Sequence, residues 1–121
     1  MRFYSLLLVV FVSLALAQVE PYKLRVQEWS CKREGRTVVA EGVVLNLTQG
    51  TLKDVRANLQ VTLGAQVVSN SAFISLRSLG SGKSSAFRVV VPKPAVGSFS
   101  CKLWFRNPQA IQIPSLVPQP R

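Results

Sequence analysis

The sequence predicts an all-β fold, an antiparallel sandwich of about seven strands. Residues 55–63 alternate without a break between apolar and polar side chains, as does a strand with one buried and one solvent-facing side. Turn-forming residues recur at intervals of about 8–12 residues, which is typical of short strands joined by tight turns. No segment after residue 17 has the apolar spacing of an amphipathic helix.

The N-terminal segment, residues 1–17, is predicted to be a secretory signal peptide. Arg2 precedes an apolar run that ends at Leu16, and Ala15 and Ala17 are the small residues that a signal peptidase recognises. The run is shorter than the roughly 20 residues that cross a bilayer, which favours cleavage after Ala17 over a retained membrane anchor. We therefore expect an exported protein, periplasmic or extracellular.

The 121 residues suit a single domain. We expect the β-sandwich to occupy residues 18–106 and residues 107–121 to form an extended or disordered tail. Four prolines fall in the tail, and since Pro has no backbone N–H, the tail cannot pair with a strand along its whole length. Part of it would cover the sandwich through four apolar residues: Ile111, Ile113, Leu116 and Val117.

The chain is strongly basic. It has 15 Lys and Arg residues against five Asp and Glu, a net charge of +10, which the loss of Arg2 with residues 1–17 lowers by one. So much positive charge on a small domain attracts nucleic acids, acidic polymers and anionic lipid surfaces.

The two cysteines, Cys31 and Cys101, predict a disulfide. An even number of cysteines in an exported protein is typical of a bridge, because the compartment is oxidising. Cys101 is in phase with the apolar residues Leu103 and Phe105, so its thiol should face the core. The alternative is two separate buried thiols. The chain has no Cys-x-x-Cys motif, which argues against a thiol oxidoreductase.

The early part of the chain predicts two strands. The first spans 22–31 with a bulge near Gln27, where its apolar residues shift from even to odd positions. A charged turn at 32–36 leads into a second strand, 37–47, which is apolar on both faces. That pattern is typical of a central strand, or of one with a bulge at Gly42.

The later part of the chain predicts the remaining strands. A tight turn at 64–65 follows the alternating strand, and 66–76 is then one long strand or two short ones broken at 70–71. Residues 84–91 and 98–106 alternate again and end the sandwich.

Four short patterns resemble a known family. They are Gly42-Val43-Val44-Leu45-Asn46, Leu52 with Val55, Leu79-Gly80 with Gly82, and Phe87 with Val89. Over residues 38–91 this order is similar to the FxLYD-type domains of exported bacterial and archaeal proteins. The resemblance implies an immunoglobulin-like sandwich and no catalytic residue. The namesake stretch falls on residues 61–65, where only Leu63 agrees, which implies a shorter hairpin.

Residues suited to catalysis and metal binding are scarce. The chain has no His, which is the usual general base near neutral pH and the commonest nitrogen ligand of metals. No two of its five acidic residues have the spacing of an acid–base or glycosidase pair. We therefore expect a protein that is not an enzyme and has no cofactor, metal site or small-molecule substrate.

Two short motifs have a structural interpretation. Residues 80–83, Gly-Ser-Gly-Lys, lack the spacing of a phosphate-binding loop and lead into a strand, so we interpret them as a hairpin turn. Asn46-Leu47-Thr48 is a glycosylation sequon. We expect its Asn46 amide instead to hydrogen-bond the backbone of the following turn.

One group of residues is the candidate polyanion-binding site. If strands 55–63, 84–91 and 98–106 share a sheet, its outer face collects five residues: Arg56, Arg88, Lys102, Trp104 and Arg106. A solvent-facing Trp among cations can stack on a base or a sugar ring. The alternative is a solvated basic face, with Trp104 covered by the tail or by an Arg.

Two functions fit these observations. The first is a non-enzymatic binding or scaffolding module of the cell envelope, which contacts an envelope protein or polymer, for example through an exposed edge strand. The alternative is a polyanion-binding protein that uses the basic sheet face for nucleic acid, an acidic polymer or an anionic membrane surface. A subunit of a larger envelope assembly is a third, structural class.

Overall fold

A computed structural model of the chain describes residues 22–92 and 97–121, in which all regular structure is β. The ten strands, in chain order, are β1 Leu24–Glu34, β2 Thr37–Asn46, β3 Leu52–Lys53, β4 Arg56–Leu63, β5 Gln66–Phe73, β6 Ser78–Leu79, β7 Ser84–Val91, β8 Ser100–Arg106, β9 Gln112–Ile113 and β10 Ser115–Leu116. Among these residues no helix is long and apolar enough to span a bilayer. The predicted signal peptide, 1–17, lies outside the described residues.

Two four-stranded sheets pack face to face. The first sheet has the strand order β10-β1-β2-β7, and the second sheet has the order β5-β4-β8-β9. β3 and β6 form a separate two-stranded ribbon. All pairs are antiparallel except β10, which runs parallel to β1. The predicted all-β sandwich is confirmed.

The core lies between the sheets and follows from the alternation of side chains. In β4, Ala57, Leu59 and Val61 are fully buried, whereas Arg56 is exposed. β7 and β8 alternate in the same way, and the rings of Phe87 and Phe105 meet edge to face across the core, with their centroids 5.5 Å apart. Burial of one such side chain contributes about 1.5–3 kcal/mol to the stability of the fold.

A bulge in β1 is confirmed near Gln27, where the pairing with β2 shifts between Val26 and Glu28. β2 accommodates the bulge because Gly42 lies against it. A Cβ atom at Gly42 would come within 2.6 Å of the Trp29 Cβ and 2.8 Å of the Trp29 Cα. Only glycine allows the two strands to approach this closely.

Two hairpins have two-residue turns, Gly35-Arg36 and Gly64-Ala65. Both begin with a glycine at positive φ, 58° and 60°, which is the position where type II′ turns place glycine. The first turn is shorter than predicted, because β1 continues through the charged residues to Glu34. Of the two alternatives for 66–76, one long strand is correct: β5 continues through 70–71.

The prediction that residues 84–91 share a sheet with β4 and β8 is wrong. β7 pairs with β2 in the first sheet, from Val38 opposite Val91 to Leu45 opposite Ser84. Alternation shows which side chains of a strand face the core, but either sheet can bury them. The turn at 80–83 is therefore not a hairpin turn, because β6 and β7 belong to different sheets.

The Pro-rich segment 107–121 makes a tight turn at 107–111, is extended beyond it, and docks on both sheets. β9 pairs with β8 and β10 with β1. Beyond them, the Trp29 indole donates a hydrogen bond to the Pro118 carbonyl at 2.7 Å, and the Arg121 amide donates to the Trp29 carbonyl at 2.9 Å. Ile113 is buried, whereas Ile111 is exposed. This segment is therefore part of the sandwich.

The disulfide between Cys31 and Cys101 is present, with the two Cα atoms 6.6 Å apart. Cys31 belongs to β1 in the first sheet, and Cys101 belongs to β8 in the second sheet. The bond thus joins the two sheets covalently across 70 residues of chain.

Candidate binding face

We name the outer face of the second sheet the basic face. Its side chains stand in rows across the strands, since paired residues lie directly opposite one another. One row is Phe73, Arg56, Arg106 and Gln112; the next is Ser71, Asn58 and Trp104; the third is Ser69, Gln60 and Lys102.

The basic face has no carboxylate among its strands, because the sequences of β4, β5, β8 and β9 contain no acidic residue. Arg56 and Arg106 are both exposed and stand directly opposite each other. Like charges in that position destabilise a sheet. Within the described ranges, neither these two residues nor Lys102 forms an ion pair. An anion bound on this face would relieve their repulsion.

The half-buried ring of Trp104 lies among these cations. The Lys102 Nζ is 5.8 Å and the Arg106 Cζ 5.9 Å from its centroid. Both distances are near the outer limit of a cation–π contact, at about 6 Å. At the end of the face, the guanidinium groups of Arg56 and Arg77 lie 3.9 and 3.7 Å from the centroid of Phe73. Two arginines of the protein thus cover the ring of Phe73, whereas the cations near Trp104 lie at the limit of contact with its ring.

A cleft of about 260 Å³ opens on the basic face beside Trp104. Six residues line it: Asn58, Ser69, Asn70, Ser71, Trp104 and Arg106. Asn70 is held in place, because its amide donates to the Val90 carbonyl at 2.6 Å and its Oδ1 accepts from the Ser71 amide at 2.9 Å. In the part of the chain that is described, the hydroxyls of Ser69 and Ser71 and the indole N–H of Trp104 form no hydrogen bond. These groups remain available to a ligand.

Four of the five residues predicted to bind a polyanion lie together on the basic face: Arg56, Lys102, Trp104 and Arg106. The placement of the fifth, Arg88, is wrong. Arg88 belongs to β7, and its side chain lies on the opposite side of the sandwich, 3.2 Å from a Glu34 carboxylate oxygen and 3.7 Å from one of Glu41. Glu41 stands directly opposite Arg88 in β2, and this favourable pair exists only in the first sheet.

We name the outer face of the first sheet the paired face. Besides the two contacts of Arg88, an ion pair of 2.9 Å joins Arg121 to Glu28 there. Four of these groups line a hollow of about 460 Å³: Glu28, Glu41, Arg88 and Arg121. The fourth acidic residue in the described ranges, Asp54, is bound to Arg77 at 2.7 Å. All four acidic side chains described are therefore paired with arginines: three on the paired face, and Asp54 with Arg77 at the end of the basic face.

Four residues of the cleft were not among the predicted site residues: Asn58, Ser69, Asn70 and Ser71. Their positions follow from one signal in the sequence, the two-residue turn at 64–65. That turn sets the register of β5 against β4 and places Ser71 opposite Asn58 and Ser69 opposite Gln60.

The predicted structural role of Asn46 is confirmed. Its side chain is buried; its Nδ2 donates to the carbonyls of Gly50 and Leu79, both at 2.9 Å, and its Oδ1 accepts from the amide and hydroxyl of Thr48. Every polar site of this amide is satisfied within the fold. The folded chain therefore does not offer Asn46 as an acceptor for a glycan.

Residues 22–92 and 97–121 contain no group of three or more His, Cys, Asp or Glu side chains that could hold a metal ion. The carboxylates in these ranges all form exposed ion pairs with Arg. The second sheet presents cations, an aromatic ring, amides and hydroxyls to a ligand on one face.

Two solved structures have a similar fold. A chain from the archaellum periplasmic stator protein complex of FlaF and FlaG, from Sulfolobus acidocaldarius, superposes with a TM-score of 0.56; the match covers 79% of this chain and 89% of that chain, at 13% identity. The archaellum periplasmic stator protein FlaG from the same organism gives a TM-score of 0.50, covering 74% and 92%, at 15% identity. At such identities the likeness shows the fold alone.

No family model matches the chain, and no curated protein matches it in sequence. The resemblance to FxLYD-type domains therefore stays a prediction.

Proposed function

We propose that this protein is a non-enzymatic, exported scaffolding module of the cell envelope that works by holding a partner protein. The observation that carries the proposal is the contrast in how the chain uses its polar groups. The carboxylates and the Asn46 amide have partners within the chain, whereas Arg56, Lys102 and Arg106 of the basic face form no ion pair with the described residues. The fold is shared with periplasmic stator proteins, one structure of which is a complex of two of them, and this supports the proposal.

An open sheet edge offers a second route of contact. Among the described residues, β9 pairs with β8 only at Phe105 and Arg106, so that residues 100–104 pair on one side only, with β4. An extended segment of a partner can add to such an edge by main-chain hydrogen bonds. The edge adjoins the basic face, and a partner seated there would contact both.

Export is tested first, by cell fractionation and N-terminal sequencing of the purified protein. We expect the protein in the envelope or external fraction, with Gln18 as its first residue. An intact N-terminus on a protein that stays in the cytoplasm would contradict the proposal.

Contact with a partner is tested by photo-crosslinking in intact cells. A photo-reactive amino acid is placed at Gln60 in the centre of the basic face, at Ser100 on the open edge of β8, or at Val43 on the paired face as a matched control. We expect one crosslinked protein of defined mass from Gln60 or Ser100 and none from Val43. The absence of a product at all three positions, or a product from Val43 alone, would contradict the proposal.

The second candidate function is the binding of a polyanion. Its support is the direct opposition of Arg56 and Arg106 in strands without an acidic residue. We expect the protein to bind a heparin column at low salt and to elute as the salt concentration rises, because binding releases counterions. Contact through apolar groups or a strand edge would depend little on salt. A protein that passes through the column at low salt would exclude this candidate.

A further inference from the structure

We propose that the cleft beside Trp104 is a subsite for a carboxylate-bearing sugar of an acidic polysaccharide. The proposal deepens the second candidate function and rests on it: it names the class of polyanion and the groups that recognise it. Its basis is the chemical composition of the cleft, which combines one indole ring, one guanidinium group and several amides and hydroxyls.

The indole ring supplies a surface for the sugar ring. Pyranose rings have faces made of C–H groups, and these pack against aromatic rings as other apolar surfaces do. Trp104 is half-buried in the sheet, stands opposite Asn58, and lines the cleft. The indole N–H, at the polar end of the ring, forms no hydrogen bond in the described ranges.

The guanidinium group supplies the contact for a carboxylate. Arg106 lines the cleft, and Arg56 stands directly opposite it across the strand pair. An Arg fork binds a planar carboxylate through two parallel hydrogen bonds, which fixes both charge and orientation. Since β4 and β8 contain no acidic residue, no side chain of these strands competes for that fork.

The opposite wall supplies hydrogen bonds for sugar hydroxyls. Ser69 and Ser71 offer hydroxyl groups, and Asn58 offers an amide whose one hydrogen bond within the described chain is a long contact of 3.3 Å to the Arg56 carbonyl. The side-chain bond from Asn70 to Val90 ties β5 to β7 and restrains this wall. Groups held in place before binding lose less entropy on binding.

The size of the cleft suits one sugar unit. Its volume of about 260 Å³ lies just below the range of typical small-ligand sites, about 300–1,000 Å³. A polysaccharide that places a single ring in the cleft would extend across the remaining cations of the basic face. Lys102 lies in the next row, beside Gln60, and would contact a neighbouring unit of the polymer.

Nucleic acid and acidic protein fit this face less well. Sheets that bind single-stranded nucleic acid stack successive bases on several aromatic side chains. On the basic face only Trp104 is available, because Phe73 is covered by Arg56 and Arg77. An acidic peptide would use the guanidinium groups but leave the indole ring and the hydroxyls of the cleft without a role.

The test compares ligands that differ in one property each. The purified full chain is titrated with a tri-galacturonate, with its methyl ester, which has the same rings and no charge, with a polyglutamate of equal charge, and with a short oligothymidine. We expect the tri-galacturonate to bind at least about tenfold more tightly than the other three, a difference of about 1.4 kcal/mol. Calorimetry measures the affinity, and tryptophan fluorescence reports contact with Trp104.

Three variants connect the affinity to the cleft. Trp104→Ala should weaken tri-galacturonate binding at least about tenfold, whereas Trp104→Phe should keep most of the affinity and lose the fluorescence change. Arg106→Gln should weaken binding about tenfold. The matched control, Lys32→Gln, removes the same charge from the paired face and should leave the affinity unchanged.

Several results would overturn the sugar subsite. Polyglutamate binding as tightly as tri-galacturonate, with no effect of Trp104→Ala, would show a basic face without a subsite. Oligothymidine binding more tightly would make nucleic acid the ligand class. Equal effects of Arg106→Gln and Lys32→Gln would place the contact elsewhere. Since the crosslinking experiment uses no sugar, a crosslinked partner together with no tri-galacturonate binding would refute the subsite and leave the scaffolding function standing.

Discussion

The two outer faces of this sandwich use charge in opposite ways. On the paired face, Arg88 stands opposite Glu41 in the strand register, and carboxylates neutralise its charge. On the basic face the equivalent cross-strand pair is Arg56 opposite Arg106, with no carboxylate in any strand of that sheet. On the first sheet the carboxylates thus pair with arginines, although Arg25 and Lys32 form no ion pair among the described residues, whereas the strands of the second sheet have no carboxylate at all.

This difference indicates which part of the chain's positive charge is available to a ligand. Exposed ion pairs such as those of the paired face are each worth only about 0–1 kcal/mol, so they contribute little to stability. Their effect is to take carboxylates and arginines out of the field that a ligand meets. The basic face keeps a repulsive pair at a small cost in stability, and proteins commonly accept such costs at sites of function.

The largest expected effect concerns the bond that joins the two faces. Replacing Cys31 and Cys101 together by Ala should lower the free energy of unfolding by about 4 kcal/mol, because the unfolded chain is no longer closed over a loop of this length. Urea denaturation of the wild type and the double variant measures the loss.

Reduction supplies the control for the disulfide. Dithiothreitol should destabilise the wild type by the same amount and should not affect the double variant. A loss below about 1 kcal/mol would mean that the sheets hold together by packing alone.

The second prediction concerns the difference in charge between the faces directly. Replacing Arg56, Lys102 and Arg106 by Gln should move elution from heparin to much lower salt and flatten the dependence of binding on salt, since each lost contact removes counterion release. The matched control replaces Arg25, Lys32 and Arg36 by Gln, which lowers the net charge equally on the first sheet and its turn. Equal shifts for the two triple variants would mean that heparin senses only net charge.

The alternation of side chains was enough to predict much of this comparison. The outward positions of Arg56, Lys102, Trp104 and Arg106 follow from the period of two in β4 and β8, and those strands do pair. The bulge near Gln27 followed from a slip in the same period. Where the pattern is strict and local, one sequence is sufficient.

Which sheet a strand joins did not follow from alternation, and Arg88 was therefore misplaced. The inward residues of β7 are buried against the same core from either sheet, so hydrophobicity does not distinguish the two. Charge pairing with Glu41 is a clue, but its energy is too small to be decisive in advance. The pairing of the Pro-rich segment with the two sheets did not follow from the sequence for a related reason. Its pairs with β8 and β1 are only two residues long, so they leave no periodic pattern of side chains.

The third prediction concerns the backbone beneath the paired face. Gly42→Ala should destabilise the protein by about 1–3 kcal/mol, because the new Cβ would overlap the bulge of β1 at Trp29. The control, Gly50→Ala, adds a methyl group where no atom lies within 4 Å, and should change stability by less than about 0.5 kcal/mol. If both variants unfold at the same urea concentration, β1 and β2 do not need this close approach.

The smallest expected effect is the sharpest test of the comparison. Replacing an Arg by Glu should raise the stability of the protein on the basic face and lower it on the paired face. Arg106→Glu places a carboxylate opposite Arg56 and should stabilise the protein by a few tenths to about 1 kcal/mol. Arg88→Glu places one opposite Glu41 and near Glu34, and should destabilise it by a similar amount. Urea denaturation at low salt measures both.

Repeating Arg106→Glu in a variant that lacks the Arg56 charge separates the attraction between the new carboxylate and Arg56 from other effects of the substitution. In a protein that already contains Arg56→Gln, the gain from Arg106→Glu should disappear, since the opposing charge is gone; the double-mutant cycle isolates that pairwise term. Salt near 1 M, where the screening length falls to about 3 Å, should reduce both effects toward zero. If the two substitutions shift stability in the same direction at low salt, then the faces do not differ in the way their cross-strand pairs indicate, and the positive charge of the basic face is no more available to a ligand than that of the rest of the surface.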